Sequence, residues 1–370
     1  MPILAAIDVG TNTVRLLVAE ADGPGRFRAL YEDQAITRLG EGFRATRTLG
    51  WEPMRRTLEV VARYADVARA VGAHPIAAVG TAAARDARNG GEFVAEVDRA
   101  AGLRLEVLSG EREAALMLRG VLSGLGLGRE RILVMDVGGG STEFVLAAGG
   151  PPERLVSVRL GVVVLTERYL KCNPPRTWEV IKLEGAIADQ LDDLGERLGD
   201  VRGRLCAGTG GTATTLAAID LGLREYDGRR VNGYRLYRRR LTELYRWLSR
   251  MTLESRRRVP GLEPDRADVI VAGAAIVLQT MEALGFSEVK VSDGGLREGV
   301  LLDLLDGVVG PPPALREPVP AGAPPAASGE AGPPEEAAGP SDAAPAPPEN
   351  PVGPAPAAPL GGDSGEPLSE

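Results

Sequence analysis

Histidine is almost missing from this chain: His74 is the single one in 370 residues. Histidine-ligated metal centres and histidine-based triads need partners that are not present, and His74 stands before Pro75 in a loop-like stretch. Any catalysis therefore falls to carboxylates, arginines, backbone amides and a hard cation. Cysteine is as scarce, with Cys172 and Cys206 alone, which excludes a disulfide scaffold and a cysteine-built metal site and fits a reducing compartment. No apolar run has the length of a membrane span. The start, MPILAAIDVG, has no basic n-region, so the expectation is a soluble, cytoplasmic protein.

Charge of one sign is also missing from most of the chain. The formal net charge is −8, but from residue 311 onward nine acidic residues face one basic residue, Arg316, and this stretch accounts for all of it. The other 310 residues carry 42 basic and 42 acidic side chains. No global field points to nucleic acid or to an anionic membrane, so neither is expected as a partner, and any anion-binding character is local. The C-terminal stretch holds 18 of the 28 prolines and no apolar face, which predicts a disordered, acidic, Pro/Ala/Gly-rich tail over 307–370. The remainder is long enough for two cores, expected as domains 1–125 and 126–306 with a hinge at 124–128.

What is present is a motif that occurs twice, as DVGTNT from Asp8 and as DVGGGST from Asp136. Each follows one apolar run and precedes another, so each reads as strand, tight turn, strand. Glycine in such a turn lets backbone N–H groups approach an anion, and an aspartate at the strand end can reach a divalent cation. Two such turns facing each other would make a phosphate-binding cleft. The candidate anion ligands are Gly10, Thr11, Asn12 and Thr13 in the first copy and Gly138, Gly139, Gly140 and Ser141 in the second, with Asp8 and Asp136 as cation ligands. Mg²⁺ suits them, because it takes one or two carboxylates together with substrate phosphates and water. The alternative for each aspartate is a bond to its own turn amides.

Around these turns the sequence alternates strand and helix patterns, with a meander at 3–32, helices at 54–70 and 93–101, and short strands at 75–79 and 103–108. After a helix at 111–122 the plan repeats, ending with a helix at 177–194, a buried helix at 266–284, a strand at 288–292 and a closing helix at 296–305. This is α/β, largely parallel behind each meander. A further Gly turn, Gly208-Thr209-Gly210-Gly211-Thr212, leads from a strand into a helix, whose N-terminal partial charge favours phosphate oxygens.

Hydrolysis of a phosphoanhydride needs a positioned water and a carboxylate to take its proton. Glu111, Glu113 and Glu143 are the candidates. Glu111 and Glu113 stand at a helix start, where complementing the dipole is an alternative role for both. Strand alternation places Glu143 with Val145 rather than Phe144. Arg15, Arg38, Arg85 and Arg297 each lie near a strand end and could bind phosphate bidentately, Arg85 foremost because 81–89 reads as a polar loop.

Seven ordered segments, DVGTNTVRL, ITRLGEG, GTAAARDARN, SGEREA, DVGGGSTEF, GTGGT and SDGGLREG, together resemble the exopolyphosphatase and guanosine pentaphosphate phosphohydrolase family, within the superfamily of sugar kinases, heat-shock ATPases and actin. The resemblance runs from Ile3 to about Leu305. It implies two ribonuclease-H-like domains around a cleft, Mg²⁺-assisted release of terminal phosphate from inorganic polyphosphate or a guanosine polyphosphate, and a homodimer. It assigns Glu113 as the base and Glu143 as the second carboxylate. This chain departs in having Thr11 and Thr13 where the family often has serines, and in stopping short of the helical histidine/aspartate-rich domain of longer members, from which shorter substrates are expected. A kinase-like user of ATP and a sensor that binds guanosine polyphosphate without turnover are the competing expectations.

Overall fold

Leu4, Ala5, Ala6 and Ile7 form an unbroken apolar run, and a strand of that kind is buried on both faces at the centre of a sheet. In the computed structural model, which describes residues 1–23, 25–128 and 130–307, this strand is β1 (Ile3–Val9) in the middle of a five-stranded sheet. β2 (Thr13–Ala21) and β3 (Phe27–Ile36) form an antiparallel meander on one side. β4 (Ile76–Gly80) and β5 (Leu105–Val107) run parallel on the other. The strand order is therefore 3-2-1-4-5. Helices α1 (Trp51–Ala70) and α2 (Gly90–Ala101) make the crossovers and bury Val61, Tyr64, Ala65, Phe93 and Val97 against the sheet.

Helix α3 (Gly110–Gly124) leads to the second sheet. There β6 (Arg131–Val137), β7 (Thr142–Ala148) and β8 (Arg154–Val158) repeat the meander. β9 (Leu205–Thr209) follows in parallel, then β10 (Arg235–Tyr237) and β11 (Glu288–Val291), with β10 added antiparallel at the edge. Counted from its own first strand and without β10, this sheet also reads 3-2-1-4-5. The architecture is a duplicated ribonuclease-H-like α/β plan. Helices α4 (Val162–Tyr169), α5 (Thr177–Leu191), α6 (Gly210–Asp220), α7 (Arg238–Arg250) and α8 (Ile270–Ala283) cover the second sheet. α8 is apolar nearly all round because α4, α5, α6 and α7 all pack on it.

The closing helix α9 (Leu296–Leu305) departs from the sequence reading, which placed it with the second half. It returns to the first sheet, where Val300 and Leu301 join Leu4, Ala6, Leu17 and Val79. α3 lies against α9 and serves both lobes, giving Leu116 to that cluster and Ala114, Met117, Leu118 and Val121 to a core with Ile132, Val134 and Val145. The two helices approach so closely that a Cβ on Gly120 would overlap the Gly295 carbonyl, and one on Gly299 the Leu116 carbonyl. Among the other differences, the polar stretch 81–89 contains a short helix, Ala82–Asp86, and the helix expected over 177–194 ends at Leu191 before a separate turn, Leu194–Leu198. The tail expected over 307–370 lies, from residue 308, outside the described residues. Among the described residues no helix is long and apolar enough to cross a membrane.

Candidate active site

The duplicated motif produces a duplicated geometry. Gly10 N–H donates to the Thr13 carbonyl at 3.0 Å, and Gly138 N–H donates to the Ser141 carbonyl at 2.9 Å, so both copies close the same hairpin. Seven residues past each aspartate the chain stands opposite it on the next strand: Asp8 faces Arg15, and Asp136 faces Glu143. The position opposite the aspartate thus carries a cation in the first lobe and a carboxylate in the second. Neighbouring strands extend these rows to Gln34 beside Arg15 and to Ser157 beside Glu143, with Thr209 on the other flank of Asp136.

The two turns touch. A Cβ built on Gly139 would stand 3.3 Å from Asn12 Cβ and 3.3 Å from Thr11 Cγ2. The start of α4 holds the second turn from behind, since Val162 and Val163 N–H donate to the carbonyls of Gly138 and Gly139, each at 3.0 Å. Among the described residues the N–H groups of Thr11, Asn12, Gly139 and Gly140 have no protein acceptor. Buried or half-buried N–H groups without a partner demand one, and all four residues line one cavity of about 110 Å³. Facing amides of this kind form an anion cradle. Arg15 lines the same cavity and makes no ion pair or hydrogen bond among the described residues, which leaves its guanidinium available to an anionic ligand.

The third turn completes the wall. Gly210, Gly211 and Thr212 open α6 into the cavity. Gly210 has φ +77°, and a side chain there would fall on the Asp136 carboxylate, so only glycine fits. Thr209 Oγ1 donates to the Gly294 carbonyl at 2.9 Å and Thr212 Oγ1 to that of Val137 at 3.1 Å, tying three strand ends together. Gly208 lies within β9, packed near Val289 and Ala213 and outside the cavity lining.

Glu113 reaches the cavity from the first turn of α3, which Ser109 caps by accepting from Arg112 N–H at 3.2 Å. Its Oε2 accepts from Arg85 Nη1 at 2.7 Å, and the same nitrogen donates to the Leu108 carbonyl at 3.1 Å. Arg85, expected as a phosphate ligand, is instead occupied by the candidate base and lies outside the cavity lining. Burial raises the Glu113 carboxyl above its usual range, with Arg85 opposing. Glu111 is solvated and outside the cavity lining, and its own backbone N–H and Ser109 hold its carboxyl below the usual range at the start of the helix. Glu143 Oε1 accepts from Ser141 Oγ at 2.6 Å and Ser157 Oγ at 3.0 Å, and burial pushes its carboxyl up to about 7.

Two more arginines are placed differently from expectation. Arg38 pairs with Asp268 at 2.9 Å and donates to the Asp265 carbonyl at 3.1 Å, joining the first lobe to the second beyond the cavity. Arg297 is held by Glu32 at 2.6 Å and Glu298 at 2.7 Å. It lines an adjoining cavity of about 250 Å³ together with Tyr226 and Asp293. Arg266, which carried no motif signal, is 7% exposed, pairs with Glu263 at 2.7 Å and walls both cavities. Ser157 was also absent from the sequence candidates, although the meander places it beside Glu143.

Asp8 and Asp136 both line the cavity and are half-buried. Burial first, then Glu113 and Asp136, push the Asp8 carboxyl up to about 7 against the pull of Arg15, and its Oδ1 has no hydrogen-bond partner. An orphaned buried carboxylate oxygen beside a second carboxylate fits a hard cation. Among the described residues no three His, Cys, Asp or Glu side chains form a metal cluster, so the donor set suits an ion that takes its other ligands from phosphate and water.

These shifts give a sign for the pH dependence of stability. Glu143 goes from 4.5 to about 7 and Asp8 from 3.8 to about 7 on folding. The folded chain keeps protons that the unfolded chain releases, so the contribution is full below the unfolded values and is lost as pH rises through about 7. The cation-free protein is expected to melt at a falling temperature from about pH 5 to about pH 7.5, with a shallower fall for Glu143→Gln. Equal slopes in thermal melts would contradict the Glu143 environment.

The Ppx/GppA phosphatase family pattern matches residues 17–307. Exopolyphosphatase 2 of Mycobacterium tuberculosis is 33% identical over 315 residues, covering 81% of this chain and 98% of that protein. A guanosine-5'-triphosphate,3'-diphosphate pyrophosphatase of Vibrio cholerae is 30% identical over 311 residues, covering 82% of this chain and 59% of its relative. The crystal structure of the Aquifex aeolicus family member is 32% identical with a TM-score of 0.71, covering 84% of this chain and 99% of that one.

Proposed function

Because the chain belongs to the Ppx/GppA phosphatase family, we propose that it is an exopolyphosphatase, a phosphoanhydride hydrolase that releases terminal orthophosphate from inorganic polyphosphate. The observation that carries this is the contact between the two glycine turns, whose unpaired amides share one cavity with Glu113. The amides of Thr11, Asn12, Gly139 and Gly140 bind the terminal phosphate oxygens, and Arg15 neutralises the chain behind them. Glu113, steadied by Arg85, takes the proton of the attacking water, while Glu143 orients that water from the second lobe. Asp8 and Asp136 would hold Mg²⁺, which when bound offsets the charge of the phosphate oxygens. A cytoplasmic location, supported by the scarcity of cysteine, and a homodimer, supported by the family resemblance, belong to the same reading.

A second reading, hydrolysis of guanosine pentaphosphate, is favoured by the adjoining cavity. It opens past Arg15, Gly210 and Arg266, and its Tyr226 ring and carboxylates Asp33, Glu263 and Asp293 suit an uncharged group better than a further run of phosphates. One assay tests both: phosphate release from long polyphosphate, short polyphosphate, guanosine pentaphosphate and ATP, each with Mg²⁺ and with chelator. Polyphosphate is expected to turn over fastest and chelation to stop it. Hydrolysis of ATP alone would overturn the proposal.

A further inference from the structure

Glu143 is gripped on one oxygen by two hydroxyls. Ser141 Oγ and Ser157 Oγ both donate to Oε1, at 2.6 and 3.0 Å, whereas Oε2 has no hydrogen-bond partner among the described residues. The two serines occupy different places. Ser141 closes the second glycine turn and lines the cavity; Ser157 stands directly across from Glu143 on β8 and lies outside the lining.

A hydroxyl has one proton to donate. A phosphate oxygen arriving in the turn competes with Glu143 for the proton of Ser141, and a charged phosphate within hydrogen-bond reach is a strong acceptor. Ser157 is solvent-exposed and outside the cavity lining, and Glu143 is its only side-chain acceptor among the described residues. Its backbone is fixed independently of any ligand. The register of β7 with β8 runs from Thr142 opposite Val158 to Leu146 opposite Arg154, and Arg197 Nη2 donates to the Ser157 carbonyl at 3.2 Å.

We infer that Ser157 is a positioning residue for the hydrolysis proposed above: it keeps Glu143 Oε1 in place when Ser141 turns to the substrate, so that Oε2 stays directed at the water. This rests on reading the cleft as a phosphohydrolase site. Ser157 stands outside the cavity lining and acts through Glu143, so its removal affects the chemical step and leaves binding alone.

The experiment is steady-state phosphate release from polyphosphate with Mg²⁺, together with thermal melting, for Ser157→Ala, Ser157→Thr and Ser141→Ala. Misplacement of a reacting group by about 1 Å costs up to about 10²-fold. Ser157→Ala is expected to lower kcat about tenfold with KM within about twofold and melting unchanged. Ser157→Thr, which restores the hydroxyl on a residue suited to a strand, is expected within about threefold of wild type. Ser141→Ala is expected to raise KM as well as lower kcat. A Ser157→Ala variant at wild-type kcat, a rise in KM in place of the fall in kcat, or a loss that threonine does not recover would overturn the inference and leave the functional reading intact. A wild-type chain that releases no phosphate from any phosphoanhydride would sink both.

Discussion

Glu113→Gln is expected to lower kcat for phosphate release by about 10²- to 10⁴-fold while polyphosphate binding persists. The amide keeps the shape of the side chain and can still accept from Arg85, but it cannot take a proton from water. Binding persists because the cradle is backbone, and no backbone group depends on Glu113 beyond its own helix. The same geometry sets the consequence of removing its partner. Arg85 Nη1 bridges Glu113 and the Leu108 carbonyl, so Arg85→Ala frees the carboxylate to rotate and removes the cation that opposes its burial. Its loss should appear in kcat far more than in KM, the reverse of what a phosphate ligand would give. A sensor without turnover would show no rate to lose in either variant, and equilibrium binding of polyphosphate beside the assay separates that outcome from a catalyst.

The sequence made the backbone parts of this site legible and left the long side chains ambiguous, for a physical reason. A glycine turn between two apolar runs is a local object, and its strand, hairpin and aspartate all follow from about ten adjacent residues. The two copies could therefore be located, and their shared spacing pointed to one cleft. Arginine near a strand end carries no such local information, because its direction is set by whichever acceptor the fold brings within reach. For Arg85 that acceptor, Glu113, is 28 residues away, and for Arg297 one of its two acceptors, Glu32, is 265 residues away. Arg38, Arg85 and Arg297 all have acidic partners that compete with phosphate, whereas Arg15 makes no ion pair or hydrogen bond among the described residues. Ser157 and Arg266 were invisible for a related reason: one matters through cross-strand register and the other through a wall shared by two cavities. The closing helix shows the same limit at larger scale. Its apolar residues required a core, but nothing within 296–305 specified the first sheet over the second.

Gly139→Val is expected to lower kcat/KM about 10²-fold while a valine at Gly150 changes little. Gly139 is where the second turn meets the first, with a bare Cβ already 3.3 Å from Asn12 Cβ and Thr11 Cγ2. Alanine requires a shift of a few tenths of an ångström and should be tolerated with a modest loss. Valine adds two methyl groups beyond that point, and they can be accommodated only if the turns separate. The turns are anchored from behind by α4 in one lobe and, in the other, by Thr37 and Arg38 N–H donating to the Asn12 carbonyl, each at 3.0 Å, so separation strains both. Overpacking of this kind typically costs about 1–3 kcal/mol of stability, which urea unfolding would read. The larger effect is catalytic, because a cradle built from two chains of amides works only when both reach the same phosphate, and displacement by about 1 Å is enough for about 10²-fold. Gly150 is the matched control, since a Cβ there meets nothing within 4 Å. If Gly139→Val released phosphate at the wild-type rate, the two turns could not be acting on one phosphate, and the cleft would lose its claim to be the site of hydrolysis.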